Sequence, residues 1–315
     1  MLTLTPRAAP ALPAGSGRMT VITWNCTKSD HPKKLEQIAE LVWGPANRDE
    51  FADLVLIQEF SQNMAQYQND YDELCAAFEA NQWGYLKTPN QGPAGVGKPK
   101  PTGSGCYFLV WNSKRLGTNG EFAFIDDVTA ATTAAVKVTS SDRPSKQTTF
   151  YDPARLADEN NPPLALALES SIRPIMSGRL PVACYTVHIS PVGAAARIPN
   201  LDQDVAEYNT RSYALEVFTK VARVVQDASE AMSKSRLFLF AGDLNVGPDV
   251  VKQYFRPTLG FRVASGGGKQ LDHIVACYGG SVGMQKFDPP VFLKPGKSID
   301  QVGDHYPLGA HLELL

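Results

Sequence analysis

The chain has 315 residues, 43% hydrophobic and 20% charged, with 30 basic against 32 acidic side chains and a pI near 6.2. This is the composition of a soluble globular protein able to build a large core, and it excludes collagenous, low-complexity and membrane-spanning chains, since no apolar run could cross a bilayer. The near-neutral balance also excludes a sequence-wide basic field for nucleic acid, so any polyanion has to be bound locally.

Residues 1–18 are rich in Ala, Pro and Gly, are broken at Pro6, Pro10 and Pro13, and hold no apolar run of signal-peptide length. They predict a disordered leader before a single domain over residues 19–315. The expected setting is cytoplasmic, or exported without a cleavable signal peptide, and the expected state is a monomer.

Residues 20–25 read as a strand ending on Asn25. Asp30 and Pro32 then mark a helix start, with Leu35, Ile38 and Val42 on one face. Residues 53–59 put four apolar side chains ahead of Gln58 and Glu59, a second strand ending on a carboxylate. A helical region over 72–79 is followed by a long Gly- and Pro-rich loop over 90–105 carrying Lys98 and Lys100. Residues 106–111 resume the sheet, and short strand-like pieces continue to Val138. Residues 139–163 are polar and proline-broken. Segments 164–168 and 182–188 look like adjacent strands, the second ending on His188.

The strongest helix signal runs from 202 to 232, with Leu215, Phe218, Ala222 and Val225 sharing a face. Residues 236–245 follow as a short strand buried on both sides. It stops at Gly242, where Asp243 and Asn245, two apart, are expected on one side of the pleat. Further strands cover 271–277 and 309–314. Strands outnumber helices, so the expectation is an α/β chain with two sheets packed face to face and helices outside. The five cysteines show no C-x-x-C pair, which argues against a disulfide framework or a zinc site and for small buried hydrophobes.

Strand ends and starts therefore carry Asn25, Glu59, His188, Asp243 with Asn245, Asp272, and Asp304 with His305. Converged, these are hard oxygens plus two imidazoles. The oxygens suit Mg²⁺, with Mn²⁺ possible, far better than zinc, and the imidazoles suit proton transfer near neutral pH. Metal-assisted hydrolysis of a phosphate ester is the reaction such a set supports best. Residue types alone leave the individual roles open. His31 reads as a helix-start residue, His311 as an outward position on the last strand, and His273 as facing away from Asp272.

The motifs Thr23-Trp-Asn25, Ile57-Gln-Glu59, Val187-His188, Ala241-Gly-Asp-Leu-Asn245, Leu271-Asp272 and Gly303-Asp-His-Tyr-Pro307 occur in this order. Together they resemble the endonuclease/exonuclease/phosphatase superfamily. His188 followed by Pro191 is most similar to the branch of pancreatic-type deoxyribonucleases and the cytolethal distending toxin catalytic subunit. The resemblance implies a four-layer α/β sandwich of two mixed β-sheets. It implies Glu59 as main Mg²⁺ ligand with Asn25 beside it, and Asp304 supporting the metal and phosphate region. It further implies Asp243 and Asn245 positioning water and phosphate, Asp272 orienting His305 as general base, and His188 as phosphate ligand or general acid. The expected substrate is DNA. The rival is a phospholipid head group or another small phosphate, and a non-catalytic binding module is the third reading. The chain departs from the branch near Ser104, where an acidic residue would orient the first histidine, and at residues 160–163, where an arginine is missing. Arg173, Arg179 and Lys269 are the candidate replacements for that cation.

Overall fold

The computed structural model describes residues 4–11, 17–26, 31–44, 52–60, 68–87, 106–117, 122–124, 138–139, 149–151, 164–170, 180–189, 215, 218–219, 221–223, 236–266, 270–279, 282–289 and 305–314. The strands are β1 (Arg18–Asn25), β2 (Leu54–Phe60), β3 (Trp83–Lys87), β4 (Cys106–Asn112), β5 (Leu116–Gly117), β6 (Phe122–Phe124), β7 (Val138–Thr139) and β8 (Thr149–Tyr151). They continue as β9 (Leu164–Ser170), β10 (Leu180–His188), β11 (Leu237–Asp243), β12 (Arg262–Gly266), β13 (Asp272–Cys277), β14 (Val282–Phe287) and β15 (Leu308–Leu314). The helices are α1 (His31–Trp43), α2 (Gln68–Ala80) and α3 (Pro248–Tyr254), and residues 215, 218–219 and 221–223 are also helical.

One sheet has six strands in the order β14-β15-β1-β2-β4-β3, and the other has the path β12-β13-β11-β10-β9-β5, with β6 also on β9. Both are mixed, because β1 runs parallel to β2 and β10 parallel to β11 while their other neighbours are antiparallel. The pleat explains the layering. Alternate residues such as Leu54 and Leu56, Val182 and Cys184, Leu237 and Leu239, and Ile274 and Ala276 fill the space between the sheets. The opposite faces carry helices. Trp24, Val55 and Ile57 pack against Leu35, Ile38 and Val42 of α1 and Leu74 and Phe78 of α2. On the other side Phe238, Phe240 and Val275 pack against Phe218, Val221, Ala222, Val251 and Phe255. The expected sandwich with helices outside is the observed one.

Three expectations differ from the structure. Residues 4–11 are not a disordered leader. Ala9 is buried and donates its N–H to the Asn81 carbonyl (2.8 Å), while the Arg7 and Pro10 carbonyls accept from Trp83 Nε1 (3.0 Å) and Asn112 Nδ2 (3.1 Å). A proline-rich segment can pack without regular structure when neighbouring side chains take up its carbonyls in this way. Leu215 is 42% exposed, so Phe218, Val221 and Ala222 form the buried face of that helical stretch. The expected proline-broken stretch over 139–163 contains β8, which pairs with β7. Cys26, Cys75, Cys184 and Cys277 are buried, as expected of small hydrophobes.

Candidate active site

Strand register brings the polar ends together. In the second sheet, His188 on β10 lies opposite Asp243 on β11, and Asp243 lies opposite Asp272 on β13, a row of three across adjacent strands. In the first sheet, Asn25 on β1 is level with Gln58 on β2, and Glu59 follows in a β-bulge with φ 52. A left-handed backbone at a glutamate is uncommon and is held by its surroundings. Gly242 supplies the other special conformation, with φ 150, where a Cβ would lie 2.0 Å from the Val187 carbonyl oxygen. Only glycine lets β11 stay that close to β10 and still present Asp243.

The two sheets meet at one carboxylate oxygen. Asp243 Oδ2 accepts from Asn25 Nδ2 at 3.0 Å and faces His305 Nε2 at 3.4 Å and His188 Nε2 at 3.7 Å. Asp243 Oδ1 accepts the Asn245 N–H at 3.0 Å. His305 Nδ1 lies 3.0 Å from Asp272 Oδ2, and Trp24 Nε1 donates to the His305 carbonyl at 3.3 Å, fixing the backbone ahead of β15. His188 Nδ1 lies 3.0 Å from Glu59 Oε1, across the gap between the sheets. Asp243, Asp272 and His305 bring one ligand atom each to within 4.8 Å of one another.

Burial sets the charges. Asp243 is pushed up to about 7 by burial and by the Asp272 carboxylate, against the pull of His305 and its own hydrogen bonds. Asp272 is raised by burial, opposed by His305. Burial lowers His305, but its hydrogen bond to Asp272 and the charges of Asp243, Asp272 and Glu59 outweigh this and raise it to about 9. Burial and the charge of His305 push His188 down to about 3. Burial thus disfavours the ionised form of both carboxylates, and His305 offsets this in part.

No family model and no curated protein matches this chain. Solved structures do match. The endonuclease/exonuclease/phosphatase from Bacteroides vulgatus is 11% identical over 95% of this chain and 99% of its own, with a TM-score of 0.54. The human Nocturnin catalytic domain with bound sulfate anion is 13% identical over 95% and 96%, with a TM-score of 0.51. TDP2 of D. rerio complexed with a single-strand DNA product is 13% identical over 94% and 98%, with a TM-score of 0.50. The chain has the endonuclease/exonuclease/phosphatase fold.

Within that fold, the structure gathers six of the eight expected site residues side by side: Asn25, Glu59, His188, Asp243, Asp272 and His305. Asn245 is placed differently from the pleat argument. The strand has ended at Asp243, Asn245 sits at φ 50, and its Nδ2 donates to the Ile189 carbonyl at 2.6 Å, tying together the turns after β10 and β11. Asp304 lies outside the described residues, as do Ser104, Arg173, Arg179 and Lys269. Glu59 stands at His188 Nδ1, beside the histidine for which the resembled branch has an acidic partner near position 104, where this chain has Ser104. Three contributors were not read from the sequence. Trp24 and Tyr107 sit in apolar strand runs, and Gln58 lies inside its motif beside Glu59. The one local signal is an amide directly after the apolar run 54–57.

Proposed function

We infer that this protein is a divalent-cation-dependent phosphoesterase whose preferred substrate is the phosphodiester of DNA. The observation that carries the reading is Asp243 Oδ2, ringed by Asn25, His188 and His305, with Asp272 behind His305. The residues fit a hard cation: the donors are oxygens, and Asp272 Oδ1 is buried with no hydrogen-bond partner among the described residues. Glu59, Asn25 and Asp304 would hold the ion. A bound Mg²⁺ or Mn²⁺ supplies Lewis acidity on a phosphoryl oxygen and compensates the carboxylate charge.

With a cation beside the carboxylates the hold on the His305 imidazolium would be weaker, and the neutral ring's Nε2 would serve as base. It takes a proton from water as the water oxygen bonds to phosphorus, the P–O ester bond breaks, and its electron pair leaves on the ester oxygen. Asp272, on His305 Nδ1, stabilises the imidazolium that forms. Asp243 accepts the water's second hydrogen and orients it. Neutral His188 gives its Nδ1–H to Glu59, and an arriving phosphate anion favours the second proton, at Nε2, that either of its roles needs. The single-strand DNA product carried by the D. rerio TDP2 structure supports a nucleic-acid substrate.

The test is nicking of supercoiled plasmid across a matrix of salt, Mg²⁺, Mn²⁺ and chelator, run beside phosphate release from phosphoinositides. Nicking should vanish in chelator, return with either ion and fall with salt. His305→Ala and His188→Ala should each lower turnover about 10²- to 10⁴-fold. The double variant should be only modestly worse, because both groups serve one transition state. Full activity in excess chelator overturns the cation. Phosphate release without nicking moves the substrate to a lipid head group.

A further inference from the structure

Three strands show the same progression on their inward faces, at steps of two residues. β1 runs Val21, Thr23, Asn25; β2 runs Leu54, Leu56, Gln58 with Glu59 beside it; β10 runs Cys184, Thr186, His188. Apolar core gives way to a neutral polar layer, and that layer underlies the charged site. Gln58 is its centre. Its Nε2 lies 2.9 Å from Thr186 Oγ1 on the opposite sheet, 3.0 Å from Thr23 Oγ1 and 3.1 Å from the Leu56 carbonyl, and its Oε1 lies 3.4 Å from the Thr23 hydroxyl. Beside it, the His188 N–H donates to the Tyr107 hydroxyl at 3.4 Å. Gln58 and Thr23 have no exposed surface, and Thr186 has 1%.

An amide between two sheets is an expensive way to fill space, because a leucine of similar volume would pack there without needing partners. What an amide adds is direction. Gln58 is bonded in sequence to Glu59 and its backbone pairs with Asn25, while its side chain reaches the residue two before His188. The distance from Glu59 Oε1 to His188 Nδ1 spans the two sheets, and Gln58–Thr186 is the polar tie directly beneath it.

We propose that Gln58, through Thr186, is a positioning residue that sets the separation of the two sheets at the site and so fixes Glu59 against His188. Its catalytic consequence rests on the phosphodiesterase reading above. Its structural consequence does not, so the two are measured separately.

The experiment compares wild type with Gln58→Leu, Thr186→Val and the double variant. In ¹⁵N NMR of the imidazole rings, wild-type His188 should be the Nδ1–H tautomer. Gln58→Leu and Thr186→Val should shift it toward a tautomer mixture, and this holds whatever the substrate is. If the wild type nicks plasmid, kcat should fall roughly 10- to 100-fold in each variant with KM nearly unchanged, as expected of a displacement on the order of 1 Å. The double variant should be no worse than Gln58→Leu, since both remove one tie. An unchanged tautomer overturns the proposal, as does a folded Gln58→Leu with wild-type kcat and only a lower thermal midpoint. If Gln58→Leu does not fold, Thr186→Val, which exchanges one hydroxyl for a methyl, decides by the same readouts. A wild type inactive on plasmid but with the expected tautomer shifts would overturn the substrate reading and leave the positioning role standing.

Discussion

His273 shows how a single residue can matter for the site without entering it. It alternates away from Asp272 on β13, is fully buried, and places Nε2 at 2.8 Å from the Val246 carbonyl and Nδ1 at 2.9 Å from Ser265 Oγ. One tautomer satisfies both contacts, with Nε2–H donating to Val246 and Ser265 donating to Nδ1. The ring therefore holds the turn that follows Asp243. Burial, aided by Lys252, pushes it down to about 4 from 6.5, against the hydrogen bond to Val246. The folded state thus binds fewer protons than the unfolded state between those values. Stability from this group is complete above about pH 6.5 and is lost as pH falls toward 4, by up to about 3 kcal/mol. His188 shifts in the same direction and Asp243, Asp272 and His305 in the opposite one, so a wild-type profile mixes several groups. The difference between wild type and His273→Gln in urea unfolding isolates His273. It should grow steadily more favourable to the variant as pH drops from 6.5 to 4, and a pH-independent difference would rule this account out.

At the scale of elements, β11 explains both what was legible and what was not. Its apolar run ending in Gly-Asp announced a buried strand carrying a carboxylate, and register then put Asp243 between His188 and Asp272. The pleat rule failed two residues later, because Asn245 lies beyond the strand in a left-handed turn that a period of two does not describe. Gln58 was overlooked for a different reason. Alternation marks it as inward-facing, but whether an inward amide meets partners depends on the opposite sheet, whose register no local pattern contains. The packed segment over residues 4–11 escaped because its carbonyls are taken by Trp83 and Asn112, far away in sequence. Gly242 permits a direct check of the β11 geometry. Alanine there would put its Cβ 2.0 Å from the Val187 carbonyl oxygen at an unfavourable φ. Gly242→Ala should therefore cost on the order of 3 kcal/mol and displace Asp243. An unfolding free energy that stays within about 1 kcal/mol of wild type would mean that β10 and β11 can part without cost.

For the whole molecule, Asn25 from β1, His188, Asp243 and Asp272 from the other sheet, and His305 from just before β15 are assembled only when both sheets are packed. The resulting site concentrates carboxylates whose ionised forms burial disfavours. The unfolded chain, in which these groups are scattered, has no comparable site. A divalent ion should therefore bind the folded state selectively and stabilise it by mass action, about 2.7 kcal/mol at a hundredfold excess over Kd. The thermal midpoint should rise with Mg²⁺ or Mn²⁺, saturate, and return to its starting value in chelator. Monovalent salt at matched ionic strength serves as the control, because screening relieves like-charge repulsion at the surface but reaches buried pairs poorly. Asp272→Asn removes one of the buried charges while keeping an oxygen donor, so its own midpoint should be higher without the ion and its ion-induced rise smaller. A midpoint that moves equally with divalent and monovalent salt would show that the carboxylates share protons among themselves and hold no cation.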